Sequence, residues 1–466
     1  MTIRLASLLL NVDSVVSSEC NRRRRFGCDR RRAMGACFSA DDQSPDNFTV
    51  KDGHHGRSNA KASSSNGGGG AGGGSGSGGG MNGSRADREP VTRYFMVGMG
   101  SAGKSTVVRQ LNRLVRVKPA DYAVYDDQWN ELRQQTVERN AAGQARRWRM
   151  VIRRNVFDAL VALVKKAREW NLDVASESAD RLMQLHDSAA SVPGRAPVDF
   201  EADPLLPELI QEVLSRRTQI RSPLIADGTY RFLTNDKIRD VFSAGYEPRE
   251  DDIVHARDPT TGMTDYRFRV KGQLVSLRDI GGQKVERAKT LTYLNQWMAD
   301  DRNSYRNMIL YVVSMAEYDV PHPEHEGATL LEESLQMLKI VLELNALRDC
   351  GFLVLLNKED IFRAKMDALK TDAAARREAV RRLGPWLSKT DKERLERGAD
   401  LPYDTLRKTV AAMTADKLSE SALAGKKDVY MRFTCAVDTK LMDALWATVK
   451  VEIMSGHIDR ADYLFP

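Results

Sequence analysis

The sequence predicts an α/β fold: a mostly parallel sheet flanked by helices, with an all-helical domain inserted into it. Three observations predict it. First, the apolar run Tyr94-Phe95-Met96-Val97 leads through a glycine-rich loop into a segment of helical spacing, Val107, Val108, Leu111, Leu114 and Val115. Second, residues 115–250 are polar-amphipathic with little strand signal, most clearly from Val156 to Trp170, where apolar residues recur at three and four. Third, short apolar runs alternate with helical patterns after 250: Gln273–Leu277, Met308–Val313, Phe352–Leu356 and Tyr430–Ala436. Their hydrophobicity is continuous, as expected of strands buried on both faces of a parallel sheet. The last helix places Leu441, Leu445, Val449 and Ile453 on one stripe.

Charge and composition divide the rest. The net charge of +7 is lopsided, because residues 1–33 carry eight arginines against Asp13, Glu19 and Asp29. The remainder is close to balanced, which argues against a nucleic-acid surface. Five scattered cysteines form no disulfide framework and fit a reducing compartment. Cys20 and Cys28 with His54 and His55 match no zinc spacing. Residues 1–33 are expected to be a basic extension, disordered or not translated. Residues 34–90 read as a flexible Gly/Ser-rich tether that cannot bury enough apolar surface to fold. Residues 91–114 and 254–466 then form the two parts of the sheet domain, with 115–253 as the helical insertion. The Arg- and Ala-rich stretch Ala141–Arg149 reads as a solvated helix face or loop.

Chemistry concentrates at three strand ends. Gly98-Met-Gly100-Ser-Ala-Gly103-Lys104-Ser105-Thr106 fits G-x-x-x-x-G-K-[ST] in its strand–loop–helix setting. Its glycines turn backbone N–H groups towards phosphate oxygens at a helix N-terminus. Lys104 supplies a point charge for the β- and γ-phosphates, and Ser105 a hydroxyl for Mg²⁺. Asp279-Ile-Gly-Gly282-Gln283 follows the strand Gln273–Leu277, where an acidic residue holds Mg²⁺ through water and a glycine N–H meets the γ-phosphate. Asn357-Lys358-Glu359-Asp360 ends another strand. A carboxylate there takes two hydrogen bonds from the N1 and N2 edge of guanine, which adenine does not offer.

With these motifs in order, and Thr434-Cys435-Ala436 after them, the chain resembles the α subunit of a heterotrimeric G protein over residues 92–466. The helical insertion sits where that family carries its own. Asn235–Asp240, Tyr246–Asp252, Arg257-Asp-Pro-Thr260-Thr261-Gly262 and Ser314–Asp319 strengthen the likeness. The resemblance implies a Ras-like GTPase domain that binds and hydrolyses GTP with Mg²⁺. It implies that Arg257 is a built-in arginine finger, that Gln283 orients the attacking water and that the N–H of Gly282 senses the γ-phosphate. Thr260 would complete Mg²⁺ coordination with Ser105, Lys358 would lie along the guanine ring, and the Cys435–Ala436 backbone would meet guanine O6. Partners implied are a βγ dimer, a G protein-coupled receptor and an effector. Met34-Gly35-Ala-Cys37-Phe-Ser39 carries an internal myristoylation signal at Gly35 with a palmitoylation cysteine at Cys37. Two acyl chains anchor stably, so the expected location is the cytoplasmic face of the plasma membrane, or the cytoplasm without acylation.

Departures from the family are specific. The tether fills the space of the helix that docks βγ, Thr290 stands where switch II normally has a tryptophan, and the C-terminus ends in Pro466. Ser101 replaces the loop glutamate that latches the switch arginine, so Arg257 is expected to pair with Asp258 and GDP to leave faster. Two other readings stay open on the residues: a GTP-binding scaffold with little turnover, and a P-loop ATPase or nucleotide kinase. Arg257 and Gln283 argue against the first, Asn357–Asp360 against the second. Asp360→Asn is expected to weaken GTP binding and improve that of xanthosine triphosphate, because an amide pairs with the altered base edge. Competition between the two nucleotides checks it; unchanged GTP affinity would remove the guanine assignment.

Overall fold

The computed structural model describes residues 91–169, 177–190, 227–258, 260, 262–281, 290–299, 305–421 and 428–455. The chain enters the sheet with β1 (Val91–Val97), whose Tyr94 and Met96 face one side and Phe95 and Val97 the other. Both faces are covered, so the strand is apolar throughout. Helix α1 (Lys104–Val117) follows the glycine loop and buries Val107, Val108, Leu111, Leu114 and Val115.

The sheet has seven strands in the order β2-β3-β4-β1-β5-β6-β7. These are β2 (Tyr122–Tyr125), β3 (Met263–Val270), β4 (Gln273–Ile280), β5 (Tyr305–Ser314), β6 (Gly351–Asn357) and β7 (Val429–Phe433). From β4 to β7 every pairing is parallel, while β2 and β3 run antiparallel at one edge. Met96 lies opposite Asp279 and Leu310, and Ser314 opposite Asn357, so the carboxyl ends of β1, β4, β5 and β6 share one edge. Ligands of open α/β sheets bind outside such an edge.

One side of the sheet packs Phe95, Ile309, Tyr311 and Val313 against α7 (Thr290–Ala299), α8 (Leu330–Glu343) and α12 (Tyr403–Ser419). Between α8 and α12 lie α9 (Glu359–Ala368), α10 (Ala373–Leu383) and α11 (Lys389–Glu396). The other side packs Tyr94, Met96, Leu310 and Val312 against α1 and α13 (Thr439–Ser455). A third core belongs to the insertion. Its long α3 (Ala145–Glu169) buries Ile152, Val156, Phe157, Leu160 and Val164 against α4 (Glu177–Ala190) and α5 (Asn235–Val241). Buried Arg153 donates to Val241 O at 2.9 Å and Ser243 O at 2.8 Å, satisfying the orphan carbonyls where α5 ends. Helix α2 (Gln134–Gly143) precedes α3, and α6 (Glu250–His255) closes the insertion. Glu250 pairs with Arg116 of α1 at 2.8 Å, which ties the insertion to the sheet domain.

Four sequence expectations change. Helix α1 runs past 114 to Val117, and β2 joins the sheet, so the stretch from 115 is not all helical. Four residues are too few to show a period, and β2's partner strand lies about 140 residues on. Strand β3, absent from the sequence reading, is half-exposed and alternates, unlike the continuous runs that marked the others. It turns into β4 through Lys271 (φ 51°) and Gly272 (φ 87°), the left-handed pair of a type I′ hairpin. On α13 the buried stripe is Met442, Leu445, Trp446 and Val449, while Leu441 is 47% exposed. The three-four rule admits both registers, and packing on Tyr94 selects the one containing Trp446, whose ring centroid lies 6.0 Å from that of Tyr94. Gly35 and Cys37 lie outside the described residues, as do 1–33 and the tether. Among the described residues no helix is long and apolar enough to cross a membrane.

Asp443 of α13 anchors the antiparallel edge. It accepts hydrogen bonds from Lys118 at 2.6 Å and Tyr122 at 2.7 Å, and Lys271 lies 2.7 Å away. Burial pushes its carboxyl up, but Lys118, Lys271 and Tyr122 outweigh that and hold it at about 2. A depressed carboxylate contributes stability above its unfolded value, and that stability is lost as pH falls through the folded one. Asp443→Asn is expected to cost about 2 kcal/mol at pH 7. The deficit relative to the parent should shrink below pH 4, towards about 2. Urea melts of both proteins at several pH values check it.

Candidate functional site

The glycine loop is shaped by close approach. Gly98 (φ 147°) and Gly103 (φ 107°) sit in the left-handed region. A Cβ on Gly98 would come within 2.4 Å of Val312 O, and one on Gly103 within 2.2 Å of Asn357 Nδ2. Both positions therefore admit only glycine. Gly100 and Ser101 form the exposed tip, Ser101 taking a left-handed φ of 67°. Lys104 opens α1 and is 6% exposed; its Nζ donates to Gly98 O at 2.8 Å and Met99 O at 3.1 Å. The ammonium thus sits on the loop's own carbonyls. Thr106 lies in the first turn and accepts from Arg109 at 3.1 Å.

Three oxygens converge beside Lys104. Ser105 Oγ donates to Asp279 Oδ2 at 2.7 Å, Thr260 Oγ1 donates to the same oxygen at 3.2 Å, and the two hydroxyls are 2.5 Å apart. They come from α1, the segment after α6 and the end of β4. Asp279 is 1% exposed, and its Oδ1 has no hydrogen-bond partner among the described residues. Burial pushes its carboxyl up, against the pull of Lys104, Ser105 and Thr260. A buried, half-satisfied carboxylate flanked by two hydroxyls is a donor set of hard oxygens, the chemistry a small divalent cation takes.

The second half of the site hangs on Asn357, which is 2% exposed. Its Nδ2 donates to Ala102 O at 2.8 Å, while Oδ1 accepts from Thr434 Oγ1 at 3.2 Å and from Ala436 N–H at 2.9 Å. One side chain therefore joins the glycine loop to the turn after β7. Lys358 adopts φ 63° as the N-cap of α9, and its Nζ lies 3.1 Å from Glu317 Oε1. Glu317 was not singled out as a site residue by the sequence; only its place in the Ser314–Asp319 stretch marked it. Asp360, in the first turn of α9, is exposed. Cys435 and Ala436 are buried, and the Cys435 thiol is pushed up to about 12 by burial and by its hydrogen bond to the Asp360 carboxylate.

Arg257 is exposed, and its backbone is gripped by Asn155 of α3: N–H to Oδ1 at 2.6 Å, and C=O from Nδ2 at 2.8 Å. The expected Arg257–Asp258 pair is not formed. Asp258 instead pairs with Arg147, from the stretch read as a solvated face. Arg147 and Arg109 lie over Trp148, 5.4 and 5.6 Å from its ring centroid, so this stretch bridges insertion and sheet domain. Burial pulls Arg109 down to about 10, against the opposing charges of Asp258 and Asp279. Arg147 takes the Asp258 carboxylate instead, while the loop tip still presents the uncharged Ser101. No signal in the sequence relates Asn155 to Arg257, about 100 residues on. Gly282 and Gln283 lie outside the described residues.

A strand–loop–helix with both glycines locked, and a four-strand edge carrying Asp279 and Asn357, is the frame the sequence resemblance requires. The chain matches the family described as G-protein alpha subunit over residues 81–453. It belongs to that family. It is similar to the guanine nucleotide-binding protein alpha-1 subunit of Caenorhabditis briggsae, 25% identical over 80% of this chain and 92% of that protein. The guanine nucleotide-binding protein G(s) subunit alpha of Drosophila pseudoobscura pseudoobscura is 24% identical over 80% of this chain and 88% of its own. The G(o) subunit alpha of Caenorhabditis elegans is 26% identical over 59% and 69%. As a G-protein alpha subunit the chain is a GTP-binding signalling switch, and nothing favours the scaffold or ATPase readings.

Asp279→Asn tests the oxygen cluster in this family member. A buried acid whose pKa is raised costs stability once pH exceeds its unfolded value, so the neutral amide is expected to stabilise the nucleotide-free protein at pH 7. The same change is expected to abolish any thermal stabilisation that added Mg²⁺ gives the GDP-bound protein. Melting curves with and without Mg²⁺ check both; an undiminished Mg²⁺ effect would dismiss the cluster as a cation site.

Proposed function

We propose that the chain hydrolyses GTP to GDP and phosphate with Mg²⁺, and that this hydrolysis times a membrane-receptor signal. The observation that carries the reading is the meeting of Ser105, Thr260 and Asp279 within 2.5–3.2 Å of one another beside Lys104. Ser105, Thr260 and, through water, Asp279 would hold the cation. When bound, Mg²⁺ neutralises charge on the β- and γ-phosphates. Gly98, Gly100, Gly103 and Thr106 present backbone N–H groups and a hydroxyl to the phosphates.

The remaining roles follow the same reading. Lys104 shifts from the loop carbonyls to the phosphates, and Arg257 neutralises charge that develops on the transferred group. Gln283 orients the attacking water, and the N–H of Gly282 meets the γ-phosphate. Asp360 pairs with guanine N1 and N2, Lys358 covers the ring while Glu317 orients it, and Cys435–Ala436 faces guanine O6. Ala436 N–H is also a donor to Asn357, so the guanine oxygen would share a hydrogen already directed along that turn. Acylation at Gly35 and Cys37 would place the chain on the cytoplasmic face of the plasma membrane. Its partners there would be a receptor and an effector. A βγ dimer would need a docking mode suited to a Gly/Ser-rich segment in place of the usual helix.

Single-turnover hydrolysis tests the catalytic part. Arg257→Cys and Gln283→Leu are each expected to slow it by roughly two orders of magnitude or more while GTP affinity changes little, the scale that charge-neutralising and water-positioning groups supply in phosphoryl transfer. Hydrolysis at the parental rate in both variants would leave a nucleotide-binding protein without this chemistry.

A further inference from the structure

We propose that Asn155, on the inserted helical domain, is a positioning residue for Arg257. The inference rests on the catalytic reading of Arg257 and adds a residue that acts on it from another domain. The two hydrogen bonds, 2.6 Å from the Arg257 N–H to Oδ1 and 2.8 Å from Nδ2 to the Arg257 carbonyl, use both halves of the amide. A side-chain amide paired in this way with a main-chain residue copies the contact of a neighbouring strand, and it fixes both the placement and the rotation of that residue.

The segment is held from both directions. Arg147, two helical turns before Asn155 on the same face of α3, pairs with Asp258. Thr260 is held by Ser105 and Asp279 at 2.5 and 3.2 Å. Arg257 and Asp258 are thus held on the helical domain, and Thr260 among the cation-binding oxygens. Helix α3 is itself fixed: Ile152 and Val156, flanking Asn155, are fully buried, and Trp148 lies 5.6 Å beneath Arg109 of α1.

This arrangement answers a specific problem. The Arg257 side chain is long, exposed and makes no ion pair with its neighbour Asp258, so its reach is set by where its backbone stands. Holding the backbone in advance removes that search from the reaction, and small displacements of a catalytic group cost one to two orders of magnitude in rate. Among the described residues the Asn155 side chain hydrogen-bonds only the Arg257 backbone, so its effect runs through that residue.

The test is single-turnover GTP hydrolysis by the full chain, with GTP affinity read from a fluorescent analogue, in the parent, Asn155→Ala, Arg257→Cys and the double variant. Asn155→Ala is expected to slow hydrolysis by about 10-fold or more in the parent, to leave GTP affinity unchanged, and to add nothing in the Arg257→Cys background. Asn155→Asp, which keeps the acceptor for the Arg257 N–H and loses the donor, should fall between Asn155→Ala and the parent. Equal slowing in both backgrounds would reveal a structural role and overturn the proposal, as would a parental rate in Asn155→Ala or a loss of GTP affinity as large as the loss of rate. Full hydrolysis by Arg257→Cys would instead remove the catalytic reading of the arginine, an outcome separate from these.

Discussion

The site depends on one buried amide. Asn357 holds Ala102 of the glycine loop with its nitrogen, and Thr434 and Ala436 of the turn after β7 with its oxygen. Gly103 must be glycine because this amide stands 2.2 Å from where a Cβ would be. Those loops leave separate strands, and each on its own would be a surface turn with several conformations. Three hydrogen bonds inside a buried pocket convert them into one surface, so the glycine loop and the turn after β7 share a common frame. Removing such a partner leaves buried donors and acceptors unpaired on both sides, which costs more than the bonds themselves contribute.

Asp279 shows the opposite situation. Its position opposite Met96 in the centre of the sheet is set by strand register, and burial there works against its charge. One carboxylate oxygen is satisfied by two hydroxyls and the other has no partner among the described residues. A protein selected for stability alone would place an apolar or amide side chain at such a point. The cost is understandable where an incoming cation supplies the missing charge, and it makes the empty and loaded proteins differ in stability.

The helical domain is part of the same machinery. Its core is independent, built around α3, yet the first half of that helix turns Arg147, Trp148 and Asn155 towards the sheet domain. Half-buried ion pairs from Arg113 and Arg116 to Glu250 add a second link. The grip on Arg257 and Asp258 couples the position of the insertion to that of the segment leading to Thr260.

What the sequence by itself determined is local. The glycine loop, the D-x-x-G stretch and Asn357–Asp360 are readable because each packs its chemistry into a few consecutive residues at the end of an apolar run. The parallel strands are readable because burial on both faces leaves an unbroken hydrophobic signature. Strand β2 and hairpin strand β3 were not, since one is four residues long and the other lies half-exposed against it. The stripe on α13 was read one position off because helical periodicity alone does not choose between adjacent faces, and Trp446 against Tyr94 does. The stretch around Arg147 is largely exposed, as its composition indicated, but a sequence carries no sign that Asp258 stands opposite it. Ser105, Thr260 and Asp279 are separated by up to 174 positions, and Asn155 from Arg257 by 102. Such meetings follow from strand register and domain packing, which are set by the whole core, and so only the tertiary structure decided them.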